Sequence, residues 1–237
     1  MAATGSRPAS ALVLNSKIIA MKKLVYLMLT FIGMAITSCD GHHPEPDMGM
    51  KIGDVLCTDG QILSVSDWQK SGKEGIGIVY HVNTNPDIEG RGYAVYLNDI
   101  APAAFADSLG VKQGTSADAY ALDGNANTYA LMTQRNVGSP MADAVFEIWR
   151  YGQSAYIPSV AQLRMLKEAR HNINRGLEAI GGETITDTPD GCWYWSSTEV
   201  AGQETAKAWL YSLSQGAMQE TPKTQSHKIR PIITIYD

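Results

Sequence analysis

The sequence predicts an α+β fold in a single domain of residues 50–237. Strand patterns occupy the first and last thirds of this stretch, and two helix patterns lie between them. Strands followed by helices and then strands are typical of the α+β class. No linker or internal repeat interrupts the stretch, and a chain of roughly 190 residues can bury about 70% of its unfolded surface in one core. We therefore expect mixed antiparallel strands and two main helices.

The first third of the domain carries strand and turn signals. Residues 51–57 and 61–64 flank the turn signal at Asp59-Gly60 and predict a hairpin. Residues 75–82 are apolar on both faces, which predicts a central strand, and residues 91–97 predict the next strand.

The segment after these strands is less regular. Residues 101–110 are rich in alanine and are expected to hold a helical turn, whereas residues 113–130 are predicted to be irregular. A D-x-N-x-N pattern begins at Asp123, as in the first part of a calcium loop. The glycine and glutamate that complete such a loop are replaced by Thr128 and Gln134. A tight turn built on Asx side chains is therefore preferred, and no metal or cofactor site is predicted.

Two helices are predicted in the middle of the domain. The first has Ser139 as N-cap, proline at its first position, and an apolar face that continues to Arg150. The second begins with a capping box formed by Ser159 and Gln162, keeps a helical period, and ends at Gly181.

The last third returns to strand patterns. Strands are predicted at residues 193–197, at 208–213 and from Met218, and a final strand over 228–236 closes the chain. Because proline cannot donate to a strand ladder, Pro231 is expected at an edge or a bulge.

The residues before the domain carry a targeting signal. After Met21-Lys22-Lys23, residues 24–36 form an apolar run that is shorter than the ~20 residues of a membrane span and is typical of a signal peptide. The run ends in Ile36-Thr37-Ser38-Cys39, which resembles the lipobox of bacterial lipoproteins and implies lipidation of Cys39. The alternative is an ordinary signal peptide with a chance cysteine. The lipid anchor implies attachment to the outer membrane or cell surface of a Gram-negative bacterium.

The segments on either side of this signal have separate interpretations. Residues 21–39 form the lipoprotein signal peptide, and residues 1–20 precede its expected start as a non-native or mis-started extension. Residues 40–49 are rich in glycine, proline and acidic residues and predict a flexible tether.

Composition and motifs exclude several classes of protein. The net charge of -5 and the absence of basic runs argue against nucleic-acid binding. The sequence lacks the metalloprotease, nucleophile-elbow, P-loop and dinucleotide motifs.

Asp187 and Asp190 near Trp193 suggest a pair of glycosidase carboxylates, although turn formation is the preferred interpretation. In an oxidising compartment Cys57 and Cys192 could form a disulfide.

Several fragments occur in an order that points to a known family: Ile52-Gly53-Asp54, Asp59-Gly60, residues 75–79, Gly90-Arg91-Gly92, Asp123-Gly124, Asn127-Thr128, residues 156–159 with Leu163, residues 194–199, Ala208-Trp209, Gly216, Lys228 and Arg230-Pro231. Together they resemble a family of bacterial surface lipoproteins with a C-type-lectin-like domain. That family is related to the major paralogous domain family and distantly to the formylglycine-generating enzyme fold. The resemblance implies a C-type-lectin-like domain over residues 50–237.

Two departures limit what this resemblance implies. The Glu-Pro-Asn, Gln-Pro-Asp and Trp-Asn-Asp tripeptides of calcium-dependent sugar-binding lectins are absent. Cys57 and Cys192 also lack the surrounding sequence of formylglycine-generating enzymes.

The aromatic run at residues 193–197 is the starting point for a site prediction. Strand alternation directs Trp193 and Trp195 to one face and Tyr194 to the other, and Trp195 is expected to be structural. The candidate ligand-binding residues are Trp193, Asp190, Thr198, Glu199 and Trp209, with Thr198 and Glu199 expected where the strand runs out into a loop.

The expected function is non-catalytic binding or adhesion at the cell surface, with a glycan or protein ligand and with membrane attachment through the lipid anchor. A tip or accessory subunit of a fimbria-like assembly fits this description. The alternative is an envelope enzyme, hydrolytic or redox, that uses the acidic residues near Trp193 or the cysteine pair.

Overall fold

A computed structural model describes residues 49–148 and 155–236, and the chain from Gly49 onward forms one compact unit. The described residues form helices and two sheets, which confirms the α+β class. They hold four helices where two main ones were predicted: α1 (Val65–Ser71), α2 (Gly124–Thr133), α3 (Pro140–Phe146) and α4 (Val160–Ile180). Within the part of the chain that the structure describes, no helix has the length and apolar character of a membrane span. The predicted signal peptide, Cys39 and nearly all of the tether lie outside the described residues.

Ten strands make two five-stranded sheets in the described residues. The strands are β1 (Val55–Cys57), β2 (Ile62–Leu63), β3 (Gly75–Val82), β4 (Gly92–Tyr96), β5 (Ile100–Ala104), β6 (Trp193–Glu199), β7 (Lys207–Ser212), β8 (Met218–Pro222), β9 (Ser226–Ile229) and β10 (Ile232–Ile235). The first sheet has the order β10-β4-β3-β1-β2, and the second has the order β5-β9-β6-β7-β8. Strands β6 and β9 pair in parallel, and the other paired strands are antiparallel.

Two apolar clusters form the core. One packs α4 against β3, β4, Tyr194 and Tyr211, and the other combines residues of both sheets with α2 and α3. Helix α4 approaches β3 closely at Gly176, where an added Cβ atom would lie 3.0 Å from Ile78. As predicted, Trp195 belongs to the core: it is fully buried, and its indole N–H donates to the carbonyl of Ala103 at 3.0 Å.

Short sequence patterns, such as turn and helix-capping residues, predicted several elements correctly. The hairpin of β1 and β2 and the central position of β3 are confirmed. Helix α4 begins with the predicted capping box and ends at Gly181, whose left-handed φ of 77° suits glycine. Helix α3 starts after the predicted N-cap Ser139 but ends at Phe146, before the predicted end at Arg150, which itself lies outside the described residues.

Three predictions about single segments are wrong. Residues 100–104 form β5 rather than a helical turn, because they pair with β9 at an edge of the second sheet, where Pro102 needs no ladder partner. Residues 124–133 form α2 rather than an irregular segment. The D-x-N-x-N pattern lies in its first turns, where the Asn127 amide donates to Asp123 Oδ1 at 2.9 Å.

The third wrong prediction is the single closing strand over residues 228–236. The chain instead forms β9 in the second sheet and β10 in the first, and it changes sheets at Arg230 and Pro231. Pro231 has no N–H to continue a ladder, but its carbonyl accepts from the Tyr96 N–H at 2.9 Å. The short connection from β4 to β5 also changes sheets.

Candidate functional site

The structure separates the five predicted ligand-binding residues into three locations. Trp193 and Asp190 line one pocket. Trp209 lies on the opposite face of the same sheet, and Thr198 and Glu199 are buried in the interior.

The pocket that holds Trp193 lies on the second sheet and has a volume of about 220 Å³. We call it the Trp193 pocket. Its lining residues come from the loop before β6 and from β5 to β9: Pro102, Asp190, Gly191, Trp193, Leu210, Gln219, Ser226, His227 and Lys228.

Strand register explains why Trp193 faces this pocket. Trp195 pairs with Leu210 of β7, and Leu210 pairs in turn with Gln219 of β8, so these side chains share one face. Trp193 is two residues before Trp195 and therefore lies on the same face. It is half-buried: it packs against the apolar cluster and also lines the pocket.

Asp190 reaches the pocket through a tight turn before β6. The Gly191 N–H donates to the Thr188 carbonyl at 3.1 Å, and an added Cβ at Gly191 would lie 2.7 Å from the Thr188 hydroxyl. The next residue anchors the turn, since the Cys192 thiol donates to the Pro189 carbonyl at 3.1 Å. Asp190 itself is exposed at the rim.

His227 adds an imidazole ring to the lining of the pocket. Its ring meets Trp195 edge-on with centroids 5.3 Å apart. Burial lowers the pKa of His227 below its usual 6.5, so the imidazole is uncharged at neutral pH and can both donate and accept a hydrogen bond. Gln219 and Ser226 add an exposed amide and a hydroxyl.

Lys228 lines the pocket, but its ammonium is held on the opposite face. Lys228 pairs with Tyr194, its Nζ lies 6.0 Å from the Tyr194 ring centroid, and it donates to Asp99 Oδ2 at 3.1 Å. The charge that the lining side chains present to a ligand is therefore the carboxylate of Asp190.

Trp209 does not join this pocket. It pairs with Glu220 across β7 and β8, so it lies on the face opposite to Leu210 and Gln219. It is half-buried against the cluster that contains Tyr194 and Tyr211.

Thr198 and Glu199 are not in an exposed loop, and that expectation is wrong. They remain within β6, with exposed fractions of 0% and 1%. The Thr198 hydroxyl accepts from the Val160 N–H at 3.2 Å and so supports the start of α4. The Glu199 carboxylate pairs with Lys223 and accepts from the Gln113 N–H at 2.8 Å. Both side chains therefore make contacts inside the protein and are not exposed to a ligand.

Cys57 and Cys192 are both buried free thiols, not a disulfide. Burial raises the pKa of Cys57. Burial also opposes ionisation of Cys192, but hydrogen bonds with Ser212 and Ser214 outweigh it and lower the pKa of that thiol. Their locations also differ, because Cys57 ends β1 in the first sheet and Cys192 precedes β6 in the second.

The acidic residues before β6 also have separate roles. Asp187 forms an ion pair with Arg170 of α4, whereas Asp190 lines the Trp193 pocket. In the described ranges, no group of three or more His, Cys, Asp or Glu residues is placed to hold a metal ion.

A larger depression of about 400 Å³ lies beside the loop of residues 83–91 and Tyr236. The Asn83 amide donates to the carbonyls of Glu89 and Gly90 at 3.3 and 2.8 Å, which closes this loop on itself. The depression was not predicted from the sequence, and it has no tryptophan among its lining residues.

Comparison with known protein families and with curated proteins finds no match to this chain. Function is therefore inferred from the geometry of the Trp193 pocket.

Four polar lining residues of the pocket were not among the site residues predicted from the sequence: Gln219, Ser226, His227 and Lys228. They lie on β8 and β9, which are distant from Trp193 along the chain or separated from it by other strands. The alternation of β8 could have indicated that Gln219 faces outward, but not that it lies near Trp193. That proximity depends on the order of strands in the sheet.

Proposed function

We propose that the protein is a non-catalytic binding or adhesion lipoprotein that recognises a glycan or protein ligand at the cell surface. The observation that carries this proposal is the Trp193 pocket. A half-buried tryptophan lies beside a carboxylate, an amide, a hydroxyl and a neutral imidazole. Ligand sites commonly combine an apolar or aromatic surface with a few polar groups that set orientation, and tryptophan is enriched where binding energy concentrates.

The C-type-lectin-like identity of the domain is part of this proposal. It is supported by the ordered fragments of the sequence and is compatible with the α+β arrangement of two sheets and α4. In this proposal the domain displays the Trp193 pocket, and the tether of residues 40–49 separates it from the anchor at Cys39. The tip or an accessory subunit of a fimbria-like assembly on a Gram-negative outer membrane is the proposed setting.

The positions of the acidic residues and thiols support binding rather than catalysis. A glycosidase of the common type needs two carboxylates across one bond, but Asp187 is paired with Arg170 while Asp190 lines the pocket. The Cys192 thiol is fully buried, so a substrate could not reach it without local opening.

The proposal is tested by screening the full-length chain against a glycan array and by pull-down of surface proteins, with and without calcium. Trp193→Ala is expected to weaken binding by about 30-fold or more, as for a central aromatic contact. Trp209→Ala is the matched control, because Trp209 is also half-buried but lies on the opposite face of the sheet. Urea unfolding of both variants verifies that they are folded.

Binding that persists in Trp193→Ala but is lost in Trp209→Ala would contradict the proposed site. The non-catalytic role would be contradicted by turnover of a bound ligand that Asp190→Ala abolishes.

A further inference from the structure

We infer that the Trp193 pocket binds an uncharged sugar ring through direct contacts, without a bridging metal ion. This inference rests on the proposed binding function and specifies its ligand. Four features of the pocket support this inference: its size, its charge, its polar groups and its number of carboxylates.

The size of the pocket favours one small ring. Pockets for drug-sized ligands occupy about 300–1,000 Å³, and this one has about 220 Å³. Trp193 lines this space together with residues of β8, of β9 and of the turn at Asp190. A pyranose presents C–H groups on one face, and these pack well on an aromatic ring whose face carries partial negative charge.

The charge of the pocket disfavours an anionic ligand. Asp190 is the acidic residue among the described lining residues, and it lies at the rim. The ammonium of Lys228 is held by Asp99 on the far side of the sheet and cannot neutralise a ligand carboxylate or sulfate without breaking that contact. A ligand anion would therefore meet the Asp190 carboxylate without a compensating cation.

The neutral polar groups of the pocket favour a ligand with several hydroxyl groups over a ligand with a single cationic group. The Asp190 carboxylate can accept from two neighbouring hydroxyls, and a charged acceptor makes the stronger hydrogen bond. Gln219, Ser226 and His227 can each donate and accept at other positions around the ring. A lysine or arginine side chain could use Trp193 and Asp190, but it has no acceptors for the hydrogen bonds that these three residues can donate.

The small number of carboxylates in the lining favours direct hydrogen bonds to the sugar over binding through a calcium ion. Calcium takes six to eight oxygen ligands, usually including several carboxylates. The described lining residues offer Asp190 alone as a carboxylate, because the neighbouring Glu220 faces the opposite side of β8 and pairs with Lys207. Direct hydrogen bonds from the residues described above can orient the ring.

The test is calorimetric titration of the full-length chain with three classes of probe, each in EDTA and in calcium. The neutral probes are the methyl glycosides of glucose, galactose, mannose and N-acetylglucosamine. Glucuronate and N-acetylneuraminate are the anionic probes, and Nα-acetyl-lysine amide is the cationic one. We expect at least one neutral glycoside to bind more tightly than the charged probes, with equal affinity in EDTA and in calcium.

Two variants link this binding to the pocket. Trp193→Ala is expected to weaken it by about 30-fold or more. Asp190→Asn should weaken it by about tenfold, because a charge-assisted hydrogen bond becomes a neutral one. Asp118→Asn is the control, since Asp118 is also exposed but does not line the pocket.

The inference is overturned if an anionic probe or the lysine amide binds best, or if binding requires calcium. It is also overturned if no glycoside binds while a protein ligand binds in a Trp193-dependent manner; the proposed function then stands. If no ligand of either kind depends on Trp193, the proposed function fails together with the inference.

Discussion

Lys223 and Glu199 form an ion pair that is withdrawn from solvent, with exposed fractions of 0% and 1%. Lys223 Nζ also donates to the Val111 carbonyl at 3.3 Å, and Glu199 Oε1 accepts from the Gln113 N–H at 2.8 Å. Burial lowers the pKa of Lys223, while its hydrogen bond to Glu199 opposes that shift. The pair joins β6, the turn before β9 and the loop at residues 111–113, so its role is structural.

We predict that Lys223→Met lowers the free energy of unfolding by about 3–5 kcal/mol, because it leaves the Glu199 carboxylate buried without its partner. The double variant with Glu199→Gln should recover much of this loss, since the unpaired charge is removed and the acceptor for Gln113 is kept. Urea unfolding measures both.

The matched control for this pair is exposed. Lys207 and Glu220 lie 3.0 Å apart with side-chain exposures of 34% and 39%, and Lys207→Met should change stability by less than about 1 kcal/mol. A loss at Lys223 as small as that at Lys207 would show that the interior pair is hydrated or open.

His227 gives stability a dependence on pH. Burial lowers the pKa of His227, and likewise that of His81, below the usual 6.5. Between the lowered folded value and 6.5, the unfolded chain binds more protons. The stability contributed by these two neutral imidazoles is therefore fully present above pH 6.5. It is lost as the pH falls from 6.5 through the lowered pKa values of the folded protein.

We predict a lower urea midpoint at about pH 5 than at about pH 7.5, and a smaller difference in His227→Gln. His171 lies exposed on α4, so His171→Gln is the control and should leave the difference unchanged. An equal drop in the His227 variant would assign the pH dependence to other groups.

At the scale of elements, the start of α4 connects two helices. The Ser159 hydroxyl donates to the Ala121 carbonyl at 2.7 Å and accepts from the Gln162 N–H. The Gln162 side-chain oxygen accepts from the N–H groups of Ser159 and Gly124 at 3.0 and 3.2 Å. This capping box therefore fixes α2 as well as α4.

We predict that Ser159→Ala costs about 1–2 kcal/mol of unfolding free energy. Gln162→Leu should cost about 3 kcal/mol, because it leaves two buried N–H donors without partners. Chemical denaturation followed by far-UV circular dichroism measures both losses.

The control for these caps is Ser64→Ala at the start of α1. Ser64 accepts from the Asp67 N–H at 3.2 Å, but α1 has no buried residue. We expect a loss of at most about 1 kcal/mol. Equal losses at Ser64 and Ser159 would mean that the link to α2 contributes nothing.

The same capping box shows which elements the sequence could predict. Ser159, Gln162 and Gly181 act through bonds to residues within a few positions, so their pattern is readable without the fold. Helix α2 was missed because it is only weakly amphipathic and its polar residues Asn127 and Thr128 bond to distant segments. Tertiary contacts decide such elements.

At the scale of the whole molecule, the candidate site was predictable only in part. Trp193 and Asp190 lie close together in sequence and were expected together, and alternation assigned Trp193 to its face. Gln219 and His227 join them because β8 and β9 belong to the same sheet as β6, in an order that no local pattern specifies. Glu199 was misplaced because its partner Lys223 lies on a distant turn.

Arg230 connects the two places where the chain changes sheets. It lies between β9 and β10, is fully buried, and donates to Asp99 Oδ1 at 2.8 Å in the connection from β4 to β5. It also donates to the carbonyls of Leu97 and Glu183, and Asp99 accepts from Tyr194 at 3.0 Å. The Arg230 guanidinium, which lies in the connection from β9 to β10, thus binds both the connection from β4 to β5 and the segment after α4.

We predict that Arg230→Lys lowers the free energy of unfolding by about 3 kcal/mol, because a single ammonium cannot reproduce the fork of donors and breaking a buried pair is costly. Arg170→Lys is the matched control, since Arg170 binds the Leu213 carbonyl and the Asp187 carboxylate nearer the surface, and it should cost about 1 kcal/mol or less. Urea unfolding measures both losses, and native-state hydrogen exchange locates them. If Arg230 joins the sheets, amides of β4 and β10 in the first sheet and of β5 and β9 in the second should lose protection together. Loss confined to one sheet would show that the two sheets unfold separately and that the Arg230 contact is local.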